Sequence, residues 1–154
     1  MELLNKTAVV TGGGSGIGLE TVRKLLDSGA QVAAVDINPA SLESIGQQYL
    51  DSGRLFTCPA DVTELADVVR MFETVAARWG PLDYLVNNAG VLGGPRFPDA
   101  PPAAWMRAIQ VNLVGTLNCI HSGIAYLRPE GGSIVNTAST SGLTPNLLDP
   151  VYAA

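Results

Sequence analysis

"TGGGSGIG", residues Thr11–Gly18, is the stretch on which the reading of this 154-residue chain turns. An apolar run, "KTAVV" (Lys6–Val10), precedes it. Apolar residues at helical spacing follow it (Ile17, Val22, Leu25 and Leu26), closed by "SGA". The order predicts a buried strand, a glycine turn and a helix. Glycines at such a junction permit a tight turn and close backbone approach, and the helix N-terminus offers free N–H groups to a phosphate.

Three phosphate-binding patterns can be tried on the loop. The Walker pattern needs Lys followed by Ser or Thr after its last glycine, and Leu19-Glu20 stand there, so no cation reaches a triphosphate. The strict Gly-x-Gly-x-x-Gly spacing also fails. Gly-x-x-x-Gly-x-Gly fits, on Gly12, Gly16 and Gly18, and the loop's cofactor candidates are these with Ser15 and Ile17. Asp36, eighteen residues past Gly18, closes a second apolar run, "QVAAV" (Gln31–Val35). A carboxylate there can accept both hydroxyls of an adenosine ribose. A 2′-phosphate would meet like charge, at roughly 4 kcal/mol for about 4 Å and an effective dielectric of about 20. No Lys or Arg beside Asp36 or in the loop offsets it, so NAD is expected over NADP.

Outward from this core the alternation continues. A helix is predicted from Asn38-Pro39 to about Leu50, a strand at Arg54–Cys58, and a helix capped by Thr63 and running to Trp79 with Leu65, Val68, Val69, Phe72 and Val75 inward. Then come a strand at Leu82–Val86, a Gly/Pro-rich loop from Gly90 to Pro102, a long helix over Ala103–Leu127, a strand at Gly132–Ala138 and a polar loop, Ser139–Asp149. Asp149 and Pro150 signal one more helix start. Strand and helix in strict turn predict one α/β domain over residues 1–154, a Rossmann-like doubly wound parallel sheet of five visible strands.

Composition excludes other classes. With 47% apolar and 15% charged residues the chain is globular, and a net charge of −5 with no basic cluster disfavours nucleic acid. Cys58 and Cys119 lie far apart in no metal spacing, which suits a reducing compartment, and no metal site is expected. The N-terminus has no signal-peptide pattern, and the uncharged stretch Ala108–Leu127 carries Gln110, Asn112, Asn118 and His121, too polar for an easy span. A cytoplasmic protein without membrane partners is expected. His121, Trp79 and Trp105 read as core or interface packing.

Taken together, these residues resemble the short-chain dehydrogenases/reductases. "TGGGSGIG" matches that family's Thr-Gly-x-x-x-Gly-x-Gly loop, "DVT" (Asp61–Thr63) its adenine-contacting turn and "NNAG" (Asn87–Gly90) the motif after its fourth strand. Asn112 in "VNLVGT" matches the active-site Asn, Ser139 after "IVNTA" the catalytic Ser, and Tyr152, thirteen residues on, the catalytic Tyr. The resemblance implies a nicotinamide-dependent oxidoreductase acting on a small-molecule alcohol or carbonyl. Tyr152 would exchange the proton, Ser139 polarise the substrate oxygen and Asn112 hold a water in a proton relay. Asp61 and Val62 would contact adenine, and Asn88, Ala89 and Gly90 the ribose region.

The family motif is Tyr-x-x-x-Lys, and here Ala153 and Ala154 alone follow Tyr152. The chain is therefore expected to be the N-terminal, cofactor-binding part of an enzyme, inactive and poorly soluble by itself, its complete form a dimer or tetramer built through the long helix and the helix starting at Pro150. A non-catalytic NAD-binding or dimer-interaction fragment and a gene remnant stay open as alternatives. Leu143, Leu147 and Leu148 suggest an apolar substrate wall, and the loop ending at Tyr152 looks similar to those of family members acting on hydroxy-lipids and steroids.

Overall fold

A computed structural model of the chain describes residues 3–49, 53–94, 96, 98–144, 149 and 151–153. Five strands pair in parallel: β1 (Thr7–Thr11), β2 (Gln31–Asp36), β3 (Leu55–Pro59), β4 (Tyr84–Asn87) and β5 (Ser133–Asn136), in the order β3-β2-β1-β4-β5. The helices are α1 (Gly16–Asp27), α2 (Pro39–Gln48), α3 (Leu65–Trp79), α4 (Pro102–Ile109) and α5 (Thr116–Gly123). This is the Rossmann-like α/β architecture expected.

Side chains alternate across a strand, so β1 feeds two cores at once. Ala8 and Val10 pack with Val22 and Leu26 of α1 and Leu42 and Ile45 of α2, while Val9 packs with Val68, Met71, Phe72 and Val75 of α3 and Cys119 of α5. Strands buried on both faces must be apolar throughout, which is why "AVV" and "VAAV" show no polar alternation. From β1 the chain winds outward to β3, then returns to place β4 on the other side of β1. The crossover leaves a crevice at the carboxyl ends of β1 and β4, the place where such sheets bind ligands.

Several elements differ from their expected form. The long helix is not one α-helix: a π segment, Gln110–Gly115, separates α4 from α5, and a 3-10 turn, Ile124–Tyr126, ends it. Thr63 does not cap α3. Glu64 holds that position, and the Thr63 N–H and hydroxyl both donate to Asp61 Oδ1, at 2.9 and 2.8 Å. The inner stripe of α3 is Val68, Met71, Phe72 and Val75, a three-four spacing from which Val69 falls out, and Leu65 is left half exposed. Likewise Ile17 is 70% exposed, because Gly18, Val22 and Leu26 form the buried stripe of α1 and Ile17 faces away from it. His121 is exposed on α5, so it takes no part in the core. Trp79 does pack, edge-on to Phe56 at 6.4 Å. Leu50, Asn146, Leu147, Leu148, Pro150 and Ala154 lie outside the described residues.

Candidate active site

The crevice is built by two loops tied to each other. Thr11, at the end of β1, accepts through Oγ1 from the N–H groups of Asn88 and Ala89 at 3.0 and 3.1 Å. Asn88 returns the connection, donating from Nδ2 to the Thr11 and Gly12 carbonyls at 3.2 and 3.4 Å. Gly12 turns the chain at φ +65°, a conformation side chains disfavour. Gly18 brings α1 so close to this turn that any Cβ would collide with the Gly12 carbonyl. Ser15, the N-cap of α1, makes no side-chain capping bond, and the N–H groups of Gly16 and Ile17, at the crevice, have no partner among the described residues.

Asp36 sits against the same loop. Its Oδ2 accepts from the Gly14 N–H and its Oδ1 from the Asn38 N–H, both at 3.0 Å. A carboxylate has about four acceptor positions, so these two bonds orient it and leave capacity for a ligand. A Cβ on Gly14 would run into Ser41 and stand 3.0 Å from Asp36 Oδ2. The bare glycine is what lets the acid rest on the loop.

The Asp61–Val62 turn is fastened from two helices. Asp61 donates its N–H to Asp67 Oδ2 at 3.1 Å, a bond that, with Arg70, holds the Asp67 carboxyl below its ordinary value. Asn118 of α5 donates from Nδ2 to the Val62 and Thr63 carbonyls, at 3.0 and 3.4 Å. Gly115 lets the helix approach, since a Cβ there would stand 2.6 Å from Val62 Cγ2. The sequence marked Asn118 as one of several polar residues in an uncharged stretch, but not its target.

The catalytic candidates are less uniform. Tyr152 lines the crevice, and its hydroxyl has no hydrogen-bond partner among the described residues. Ser139 starts a 3-10 turn, Thr140–Gly142, and its Oγ accepts from the Ser141 N–H at 3.1 Å, which leaves the hydroxyl hydrogen free to donate. Asn112 lies in the π segment with its amide clasping one residue: Oδ1 accepts from Val91 N–H at 2.8 Å and Nδ2 donates to the Val91 carbonyl at 2.9 Å, which leaves one donor and one acceptor position of the amide. Cys58 and Cys119 are no nucleophiles here, for burial pushes both thiols up, that of Cys119 to about 12.

A cavity of about 450 Å³ joins the glycine loop, Asp36, the Asp61–Val62 turn and Tyr152, a size suited to a small-molecule or cofactor site. Of the expected residues, Gly12, Ser15, Gly16, Ile17, Asp36, Asp61, Val62, Asn88, Ala89, Gly90 and Tyr152 line it. Gly18, Asn112 and Ser139 are not on its walls, and Leu143 is exposed away from it. Ile37, Val91, Leu92, Arg107, Val111 and Thr137 line it without having been singled out in the sequence. Arg107, with no partner among the described residues, is the one cation on these walls. It reads as an ordinary surface Arg until α4 is placed over the cavity. Among the described residues no helix is long and apolar enough to cross a membrane.

The family model for short chain dehydrogenase matches residues 6–154. D-beta-hydroxybutyrate dehydrogenase of Rhizobium meliloti (strain 1021) is 36% identical over 155 residues, covering 98% of this chain and 60% of the relative. A 3-beta-hydroxysteroid dehydrogenase of Comamonas testosteroni is 38% identical over 143 residues, with 93% and 56% covered. Among solved structures, a short-chain dehydrogenase/reductase, glucose/ribitol dehydrogenase, from Brucella melitensis superposes with a TM-score of 0.94 at 27% identity, covering 99% of this chain and 65% of that one. The chain thus spans about 60% of the length of such curated relatives.

Proposed function

The chain belongs to the short chain dehydrogenase family, and on that premise we propose that it is the cofactor-binding part of an NAD-dependent oxidoreductase acting on a secondary alcohol or the matching carbonyl. One observation supports this above the others: the open start of α1, the acid held on the glycine loop and Tyr152 all face one cavity. A pyrophosphate suits the unspent N–H groups at Gly16 and Ile17. The ribose hydroxyls suit the remaining acceptor positions of Asp36, whose charge opposes a 2′-phosphate.

NAD, when bound, supplies the hydride acceptor; the chain's own residues handle the proton. Substrate oxygen gathers negative charge as an alcohol is oxidised, and a positioned donor stabilises it. Ser139, its oxygen satisfied by Ser141, has a hydrogen to give to that oxygen. Tyr152 exchanges the proton, a role whose removal costs about 10²- to 10⁴-fold. The side chain of Asn112, fixed on Val91, keeps one donor and one acceptor position for a relay water, and its main-chain carbonyl, which accepts from Thr116 Oγ1 at 2.9 Å, has a second lone pair to offer. The hydroxybutyrate and hydroxysteroid relatives favour a small or apolar secondary alcohol.

The complete enzyme is tested by titrating NADH and NADPH against parent and Asp36→Ala, and by turnover of Tyr152→Phe. Loss of the carboxylate, worth roughly 1.5–3 kcal/mol as a charged hydrogen-bond acceptor, weakens NADH at least tenfold and narrows the preference over NADPH. Equal binding of both nucleotides by the parent would sink the NAD assignment. Met106, Leu113, Leu117 and Ile124, exposed along the long helix, favour a homo-oligomer. Sedimentation of Leu113→Glu as a monomer, beside an associated parent, checks that. The free thiols Cys58 and Cys119 fit the cytoplasm.

A further inference from the structure

Asp149 precedes Tyr152 by three residues and is 8% exposed. Its Oδ1 accepts from the Tyr152 N–H at 3.0 Å, the bond an N-cap makes. Capping requires one acceptor only. The other oxygen, Oδ2, accepts at 2.7 Å from the N–H of Gly93, which comes from the loop after β4. A Cβ on Gly93 would collide with this carboxylate and stand 3.1 Å from Val151 Cβ, so the loop and the Tyr152 segment fit closely only because residue 93 is glycine.

The same loop is pinned two residues earlier, where Asn112 holds both backbone groups of Val91. Hydrogen bonds therefore run from Asn112 to Val91, along the chain to Gly93, and through both oxygens of Asp149 to Tyr152. We propose that Asp149 is a positioning residue for the Tyr152 hydroxyl, its two-oxygen bridge setting the Tyr152 turn against the Gly90–Gly94 loop. The inference rests on the reading of Tyr152 as acid and base. Bonds to an ionised acceptor are the stronger kind, and a misplacement of about 1 Å in a reacting group costs on the order of 10²-fold.

The decisive substitutions separate bridge from cap. Asn and Ser cap helices about as well as Asp, yet each has a single acceptor atom where Asp149 uses two separate oxygens to reach the two N–H groups. In the complete enzyme Asp149→Asn and Asp149→Ser are expected to lower kcat roughly 10- to 100-fold, with the Kd for NADH within about twofold of the parent. Gly93→Ala, which adds only a methyl group, gives the same signature. The double variant Gly93→Ala/Asp149→Asn falls no further than the worse single one, as coupled sites do. A kcat within twofold of the parent in all three single variants makes Asp149 a cap and overturns the proposal, as does loss of NADH affinity in step with kcat. Tyr152→Phe keeps the two readings apart. If it still turns over, the acid–base assignment fails first; if it is dead while the others match the parent, only the bridge fails.

Discussion

At the scale of single residues, the proposed preference for NAD depends on where one carboxylate is held. Asp36 is fixed by two backbone N–H groups, one of them from a glycine whose missing side chain makes room for it. Gly14→Ala should therefore act through Asp36, since Gly14 is not itself on the cavity wall. Isothermal titration with NADH is expected to show about tenfold weaker binding, the equivalent of one lost hydrogen bond of about 1.4 kcal/mol, with the unfolding midpoint nearly unchanged. The presence of Asp36 and its loop could be read directly from the chain, because spacing along one strand–turn–helix unit is local. That Gly14, and not Gly12 or Gly16, would be the glycine beneath the acid could not be read, since the contact spans 22 residues.

Among elements, the interrupted long helix matters most. Apolar periodicity predicted one helix over Ala103–Leu127, and nothing in it announced a π segment. Widened turns of this kind often occur at functional sites, and this one serves two neighbours. Asn112 meets the Val91 loop on one side, and Gly115 lies against Val62 on another. Asn118, a turn later, hydrogen-bonds the Asp61–Thr63 turn. Asn118→Ala leaves the Val62 carbonyl short of a partner, at a cost of about 1–3 kcal/mol. Steady-state kinetics should show a raised KM for NAD with kcat preserved, the opposite split from Asp149→Asn. The inner stripe of α3 carries a similar lesson: Val69 and Met71 are both apolar, and the sheet beneath selects Met71.

For the molecule as a whole, the end of the sheet away from the crevice is closed by Asp83. Lys6 Nζ and Arg128 Nε each donate to its Oδ1 at 2.9 Å, and the Thr7 N–H donates to Oδ2 at 3.0 Å. Burial alone would raise this carboxyl; the bonds from Arg128, Thr7 and Lys6 outweigh it and hold the group below its ordinary value. A depressed folded pKa contributes stability that is present above the unfolded value of about 3.9 and is lost as pH falls through the folded one. Asp83→Asn should lower stability at pH 7 by about 2–4 kcal/mol, less than a fully buried pair because both cations reach solvent. Urea unfolding from pH 7 to 3 should show a flatter acid limb than in the parent. A parallel limb in the variant would assign acid sensitivity to other carboxylates.

The amino-acid sequence by itself determined the strand–helix order, the glycine loop, Asp36 and membership of the family, since each is written in neighbours along the chain where period and turn chemistry act. It also named Tyr152, Ser139 and Asn112 through motif resemblance. Only the tertiary structure decided the strand order that opens the crevice, the engagement of Asn112 with Val91, the place of Arg107 on the cavity wall and the bridge from Gly93 to Asp149. The partners in those hydrogen bonds stand 21 and 56 residues apart. Contacts of that range are set by how buried faces and backbone groups find partners together, and no local pattern records the outcome.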